Sequence, residues 1–200
     1  MGLLLRFRRF LDILAGLSVL SWAVTGLLKH QWTIPRLCLS VIHAVAAFLF
    51  FSRRPAKREG NWVIVLACLP SFFMGGAAFA LSDPAGKWPF YAELLFIVGT
   101  LLTTTSLMTL GRSFAILPAI RSIVVGGPYG VVRHPAYFGE LVLVLACVSA
   151  RPNGKTALCF ALALVTMMLR IWAEEKILYE NEEYRSYAQK TCWRLLPGLW

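Results

Sequence analysis

A dense polar cluster lies between two apolar stretches of the chain, at residues 126–140. It contains Arg133, His134, Tyr129 and Tyr137, together with glycines and prolines that shape the backbone. Ionisable groups inside or beside apolar segments are costly, and they usually have a functional reason to be there. The pattern therefore predicts a buried or interfacial reaction site.

A second polar cluster follows the last apolar stretch and contains Arg170, Glu174 and Glu175. Arg170 and Glu174 are four residues apart, so they share one face of a helix. A tight helical hairpin between the two clusters would return this face to the side of His134 and Tyr137. The two clusters are therefore expected to form one pocket.

The His134-Pro135 dipeptide predicts the start of a helix, because proline is favoured in the first helical turn. The first backbone N–H groups of a helix have no partner within it, and they attract anions. The pocket would then combine anion-binding backbone, a carboxylate, a guanidinium and aromatic walls. Such a pocket suits a small zwitterionic molecule that also carries a positive charge.

The chain has the composition of an integral membrane protein. Of its 200 residues, 58% are hydrophobic and 15% are charged, and the mean hydropathy is +0.66. This balance lies outside the usual range of soluble domains. A helix needs about 20 apolar residues to cross a bilayer, and the last two of six apolar stretches are shorter than this. The six stretches are 11–28, 34–51, 62–81, 90–110, 136–150 and 156–172.

The predicted fold is all-α, a polytopic membrane helical bundle of about six membrane helices with the last two as a tight hairpin. Residues 1–110 are expected to form a helical scaffold, and residues 111–200 to carry the site within the same integral membrane domain. Residues 111–125 mix polar and apolar side chains, which predicts a cytoplasmic or re-entrant connection. The charged segment 174–190 retains apolar residues and predicts an amphipathic helix on the cytoplasmic face.

The basic residues indicate how the chain crosses the membrane. Lysine and arginine are retained on the cytoplasmic side, and most of the 20 lie on one side if the N-terminus is cytoplasmic. Both termini and both polar clusters are then predicted to be cytoplasmic. Contact with anionic lipid headgroups explains the net charge of +10, so no nucleic-acid partner is expected. The five cysteines include no Cys-x-x-Cys pair, and no metal site is predicted.

These motifs resemble those of the integral-membrane methyltransferases related to isoprenylcysteine carboxyl methyltransferase and the phospholipid methyltransferases. The resemblance covers residues 107–200, and residues 110–114 look like the bacterial branch of the family. It implies a protein of the bacterial inner membrane. The matching segments are 127–139, 170–175, 184–187 and 194–197.

The resemblance implies an S-adenosyl-L-methionine-dependent methyltransferase whose acceptor is lipophilic and membrane-embedded, either isoprenylcysteine carboxylate-like or a lipid headgroup. Residues 111–200 would be the cofactor-binding and catalytic part. Arg170 would bind the acceptor, and Arg170 and His134 are the candidate catalytic residues. The implied cofactor contacts are Tyr129, His134, Pro135, Ala136, Tyr137 and Glu174, with Arg121, Ser122, Ile123 and Val124 as a further lining.

Several roles stay open at this point. An amine acceptor would need a base, for which His134 or Glu175 are candidates, and Glu175 is alternatively a solvated residue. Arg133 is either a cytoplasmic anchor or a site residue, and Glu140 either a buried partner within the hairpin or a site residue. Many relatives have histidine where this chain has Arg121. The terminal tyrosines Tyr184 and Tyr187 are interpreted as interface aromatics.

Two other functions are compatible with the same motifs. One is an NADPH-dependent, sterol-reductase-like membrane enzyme, because the terminal part of such reductases resembles the segment around Arg133 to Tyr137. The other is a non-catalytic membrane subunit whose polar clusters anchor helices. The sequence selects neither the chemical class of the acceptor nor the oligomeric state.

Overall fold

The computed structural model is an all-α bundle, which confirms the predicted fold class. It describes residues 2–28, 32–53, 58–59, 62–83, 85–114, 119–120 and 122–200. The helices within these ranges are α1 (Gly2–Leu28), α2 (Ile34–Ser52), α3 (Trp62–Leu81), α4 (Phe90–Leu110), α5 (Pro135–Ala150), α6 (Gly154–Leu178) and α7 (Glu182–Lys190). Two 3₁₀ turns, Gly111–Ser113 and Gly127–Gly130, and an antiparallel pair of two-residue strands, β1 (Arg58–Glu59) and β2 (Ala119–Ile120), complete the described elements.

Four apolar segments among the described residues have the length and composition needed to cross a bilayer. They are Arg9–Leu28, Ile34–Ser52, Phe90–Ser113 and Gly154–Leu178. Helix α5 is shorter, with 16 residues, as the sequence predicts. These helices identify the chain as an integral membrane protein. The number of helices that cross the bilayer, and their orientation, stay predictions.

Helices α4 and α5 touch backbone to backbone at two glycines. A Cβ atom added to Gly139 would lie 2.8 Å from the backbone nitrogen of Thr103, and one added to Gly99 would lie 3.0 Å from that of Leu143. Small residues permit this close approach between membrane helices. Elsewhere α1 packs on α2, and α3 packs on α6. The site therefore rests on a tightly joined α4–α5 pair.

The hairpin between α5 and α6 is tight, as predicted, and its turn is fixed by a capping box. The side chain of Asn153 accepts hydrogen bonds from the backbone nitrogens of Lys155, at 2.9 Å, and Thr156, at 3.1 Å. The Thr156 hydroxyl accepts one in return from the Asn153 backbone nitrogen at 3.2 Å. This reciprocal arrangement satisfies N–H groups at the start of α6. The ends of α5 and α6 that carry the polar clusters are thereby held side by side.

The predicted boundaries of the terminal helix, residues 174–190, are wrong. Helix α6 continues through the second polar cluster to Leu178, and a separate helix α7 begins at Glu182. The chain breaks between them because Asn181 caps α7, accepting a hydrogen bond from the Glu183 backbone nitrogen at 2.8 Å. Hydropathy identifies the apolar part of α6, but the helix extends beyond it. The same holds for α1, which begins at Gly2.

The residues after α7 form part of the site's framework. The backbone nitrogens of Arg133 and His134 donate to the carbonyl oxygens of Trp193 and Arg194, each at 2.9 Å. Leu195 is buried in the core beside α6. The last residues of the chain therefore hold the segment that leads into α5.

Candidate active site

The predicted site residues meet at one cavity of about 1050 Å³ inside the bundle, to which all seven helices contribute. Pro135 is buried at the start of α5 and is absent from the cavity wall, among the residues that the structure describes. Arg121 lies outside the described residues. The predicted residues that line the cavity are Tyr129, His134, Ala136, Tyr137, Arg170, Glu174, Ser122, Ile123 and Val124.

Tyr137, Arg170 and Glu174 form one connected unit that joins α5 to α6. The Tyr137 hydroxyl donates to Glu174 Oε2 at 2.5 Å. The guanidinium carbon of Arg170 lies 4.5 Å from the centre of the Tyr137 ring, a distance typical of a cation–π contact. Arg170 Nη1 also donates to Ser71 Oγ of α3 at 3.3 Å. The four-residue spacing correctly predicts that Arg170 and Glu174 share a helix face.

Glu140 belongs to the same group of cavity residues. It follows Tyr137 by one turn of α5, lines the cavity, and lies within the electrostatic influence of Arg170 and Glu174. Glu140 and Glu174 are both partly exposed. We call Tyr137, Glu140, Arg170 and Glu174 the cavity group.

Glu175 points to a different face of α6 from Glu174 and is 4% exposed, so the interpretation of a solvated residue is wrong. Its Oε1 accepts a hydrogen bond from Tyr184 at 3.2 Å and lies 3.1 Å from Arg133 Nη1. Consecutive helical residues point about 100° apart, which separates the two glutamates. We call this network the Glu175 cluster, and its members are Arg133, His134, Glu175, Tyr184 and Arg194.

Arg133 is a buried partner of Glu175, not an anchor exposed to lipid headgroups. It is 6% exposed, and its Nη1 donates to the Tyr179 hydroxyl at 2.7 Å. Burial is the largest single influence and acts to lower the pKa of Arg133, but the Glu175 carboxylate, Tyr184 and Tyr179 together outweigh it, and the pKa is raised. The guanidinium therefore stays charged and balances the charge of Glu175.

His134 sits at the start of α5, where the polar segment meets the helix. Its ring stacks on Tyr137, with centroids 5.4 Å apart and planes 4° from parallel, and its Nε2 lies 3.3 Å from Glu175 Oε1. The first α5 hydrogen bond runs from Phe138 to the His134 carbonyl oxygen, and no side chain caps the helix start. The N–H groups of Ala136 and Tyr137 are thus the first of the helix, where anions are favoured.

Three further tyrosines line the cavity beside this helix start. The Tyr187 hydroxyl donates to the Tyr129 carbonyl oxygen at 2.6 Å, and the rings of Tyr184 and Tyr187 meet edge to face at 5.7 Å. Burial, reinforced by the charge of Glu174, raises the pKa of Tyr129, and burial raises that of Tyr187 to about 12. These hydroxyls stay protonated at neutral pH.

The two terminal tyrosines, Tyr184 and Tyr187, are the residues that the sequence analysis placed wrongly, because both are buried. Residue type alone does not distinguish a tyrosine at the membrane interface from a buried one. The three-residue spacing of Tyr184 and Tyr187, which puts them on one helix face, was the available indication that they act together.

Comparison with known proteins identifies the same region. Residues 92–180 match the family model described as the isoprenylcysteine carboxyl methyltransferase (ICMT) family. Protein-S-isoprenylcysteine O-methyltransferase B of Arabidopsis thaliana is 33% identical over 104 residues, which cover 48% of this chain and 53% of that protein. The chain therefore matches about half the length of this curated relative.

A solved structure of the eukaryotic intramembrane Ras methyltransferase ICMT is also similar, with a TM-score of 0.46 and 19% identity. It covers 90% of this chain and 73% of the solved one. The relationship rests on the two sequence matches, and the family-model match includes both polar clusters. This integral membrane chain is thus related to the isoprenylcysteine carboxyl methyltransferase family through residues 92–180.

Proposed function

We propose that the chain is an S-adenosyl-L-methionine-dependent methyltransferase that acts on a lipophilic acceptor within the membrane. The observation that carries the proposal is the single cavity in which Glu174, Arg170 and the uncapped start of α5 meet beside an extensive apolar wall. The related protein from Arabidopsis is a methyltransferase by name. A cavity of this form can bind a charged cofactor and an apolar acceptor at the same time.

The residues present fit the charged parts of this cofactor. Glu174 offers a carboxylate for an amino group, with Tyr137 fixing one oxygen. The N–H groups of Ala136 and Tyr137 suit a carboxylate. When bound, S-adenosyl-L-methionine supplies a methyl group attached to a positively charged sulfur. Tyr129 and His134 would form the adjoining wall, with residues 121–124 as the predicted further lining.

Arg170 is proposed to bind the polar head of the acceptor. It precedes Glu174 by one turn of α6, and its position over the Tyr137 ring is fixed from α3 by Ser71. Methyl transfer depends on aligning two reactants and excluding water more than on a strong acid or base. A fixed guanidinium serves the alignment, because its planar donors hold an oxygen-containing group in one orientation.

His134 is proposed to position Tyr137 rather than to remove a proton. Its ring lies flat against Tyr137, and its Nε2 lies beside Glu175. Glu175 itself is absent from the cavity wall, among the described residues, so its carboxylate lacks the geometry of the base considered from the sequence. Tyr137 in turn holds Glu174.

The charge pattern supports an orientation for this site. Basic residues concentrate on the side that would be cytoplasmic, and in this orientation both termini, the start of α5 and the end of α6 would lie at that face. We propose the bacterial inner membrane as the location. The cofactor would then enter from the cytoplasm and the acceptor from the bilayer.

Calorimetry of the detergent-purified protein tests the proposed function. We expect binding of S-adenosyl-L-methionine and of its demethylated product, S-adenosylhomocysteine, each with one site per chain. A protein in which Glu182, an exposed residue outside the cavity wall, is changed to glutamine serves as the control. Binding of neither compound would refute the proposal. Binding of NADPH alone would instead favour the sterol-reductase-like enzyme.

A further inference from the structure

We propose that Arg194, which follows the last helix, is a positioning residue for the cofactor end of the site. It holds His134 in place, and through His134 it fixes Tyr137 and Glu174. The inference rests on the proposed function, because it concerns how tightly S-adenosyl-L-methionine is bound. Arg194 itself is absent from the cavity wall, among the residues that the structure describes, so it acts through its neighbours.

Arg194 reaches His134 at two points. Its backbone carbonyl oxygen accepts a hydrogen bond from the His134 backbone nitrogen at 2.9 Å. Its side chain reaches the His134 ring through Glu175, because Arg194 Nε donates to Glu175 Oε2 at 2.8 Å. The other oxygen of Glu175 lies 3.3 Å from His134 Nε2. One residue of the terminal segment therefore holds both the backbone and the ring of His134.

The series of contacts continues from His134 into the cavity. The His134 ring is stacked on Tyr137, with centroids 5.4 Å apart, and the Tyr137 hydroxyl donates to Glu174 Oε2 at 2.5 Å. His134, Tyr137 and Glu174 all line the cavity. Each residue of the series thus fixes the orientation of the next. The series ends at the carboxylate that is proposed to bind the amino group of the cofactor.

Charge balance does not account for Arg194. Glu175 carries a single carboxylate, and Arg133 already lies 3.1 Å from it with its side chain 4% exposed. Arg194 is a second cation beside the same carboxylate, and its side chain is 34% exposed. Solvent weakens the attraction within a partly exposed ion pair. Arg194 therefore contributes less to the stability of the fold than Arg133 does.

The geometry of the Arg194 side chain suits a positioning role. Its guanidinium carbon lies 5.3 Å from the centre of the Trp200 ring, within the range of a cation–π contact. Its backbone nitrogen donates to the Trp200 carbonyl oxygen at 2.9 Å, and the neighbouring Leu195 is buried in the core. A planar guanidinium that contacts Trp200 with its face and Glu175 with its edge keeps a fixed direction, and lysine lacks this plane.

Calorimetry with S-adenosylhomocysteine tests this role, because it gives the dissociation constant and the number of sites separately. We expect Arg194→Gln to raise the dissociation constant about fivefold or more, within the range of coupling between residues of one network. A residue that only stabilises the fold would lower the number of sites and leave the dissociation constant unchanged. The control is Arg185→Gln, which removes an exposed arginine of α7 that the described cavity wall does not include. It should bind as the wild type does.

A double-mutant cycle tests whether the effect passes through Tyr137. Tyr137→Phe keeps a ring beside His134 and removes the hydroxyl that holds Glu174. Substitutions within one network have non-additive effects, whereas independent substitutions add. In the Tyr137→Phe protein we therefore expect Arg194→Gln to weaken S-adenosylhomocysteine binding further by less than about twofold. A full additional loss there would overturn the proposed series of contacts.

Arg194→Lys provides a second variant and tests the planar group. It retains the positive charge but lacks the flat guanidinium that contacts both Glu175 and Trp200. We expect weaker S-adenosylhomocysteine binding in this variant as well. Wild-type affinity in the folded Arg194→Lys protein would overturn the positioning role. Should Arg194→Gln fail to fold, Arg194→Lys decides.

The outcomes separate this inference from the proposed function. A wild type that binds S-adenosylhomocysteine, together with folded Arg194 variants that bind it equally well, overturns the role of Arg194 and leaves the proposed function standing. A wild type that binds neither the cofactor nor its demethylated product overturns both.

Discussion

The cavity group and the Glu175 cluster lie on two sides of the same end of α6, yet they use similar side chains differently. Both oxygens of Glu175 have protein partners, and the residue is 4% exposed. Glu174, its neighbour, is partly exposed and directs Oε2 to Tyr137. Glu175 therefore stabilises the fold through its protein partners, while Glu174 remains accessible to a ligand.

Glu175→Gln should have the largest effect and should act on stability. It leaves the buried Arg133 without its compensating charge, and removing one member of a buried ion pair costs about 3–5 kcal/mol. We expect a markedly lower melting temperature in detergent, measured by size-exclusion chromatography after heating. Glu182→Gln is the control. A melting temperature equal to that of the wild type would show that the cluster does not hold the fold.

Glu174→Gln should affect ligand binding and spare stability. A hydrogen bond to a charged group contributes about 1.5–3 kcal/mol, so the dissociation constant for S-adenosyl-L-methionine should rise roughly tenfold or more. The melting temperature without ligand should stay near that of the wild type. Calorimetry measures the first quantity and heating the second. Unchanged affinity would remove Glu174 from the site.

Arg170→Lys should separate the acceptor from the cofactor. Lysine keeps the charge but lacks the planar guanidinium that lies over Tyr137. We expect methylation to fall about tenfold, which corresponds to about 1.4 kcal/mol, while cofactor affinity changes less than about threefold. The two are measured by turnover and by calorimetry. Loss of cofactor binding in a folded protein would assign Arg170 to the cofactor instead.

Tyr187→Phe should have the smallest effect. It removes the hydrogen bond to the Tyr129 carbonyl oxygen, at 2.6 Å, and an ordinary hydrogen bond contributes about 0.5–1.5 kcal/mol. A modest decrease in melting temperature is the expected result. Since Tyr187 also lines the cavity, adding S-adenosylhomocysteine tests whether the hydroxyl contributes to binding. A decrease as large as that of Glu175→Gln would contradict this ranking.

The sequence predicted the elements whose signals are local. Apolar stretches located the helices, Pro135 marked the start of α5, and the four-residue spacing placed Arg170 with Glu174 on one face. The different orientations of Glu174 and Glu175 were not predicted. They follow from the continuation of α6 to Leu178. The charged residues in this part of the helix hide the continuation in a hydropathy pattern.

The contribution of the chain's last residues could not be predicted from side-chain patterns. Arg133 and His134 are joined to residues 193 and 194 by backbone hydrogen bonds, which nearly any side chain permits. The role of Glu140 also stayed open, because one turn of α5 can face either the cavity or a neighbouring helix. The three-dimensional arrangement shows the backbone contacts of the last residues and the position of Glu140 on the cavity wall.

The glycine contact between α4 and α5 limits how a lipid tail reaches the polar end of the cavity. At Gly139 and Thr103 the two backbones leave no room for even one additional carbon, so this seam is closed to an alkyl chain. Gly75 and Gly76 of α3 border the cavity with open space beside them. We therefore expect the lateral portal for the acceptor on the α3 side, with the α4–α5 seam as its rigid rear wall.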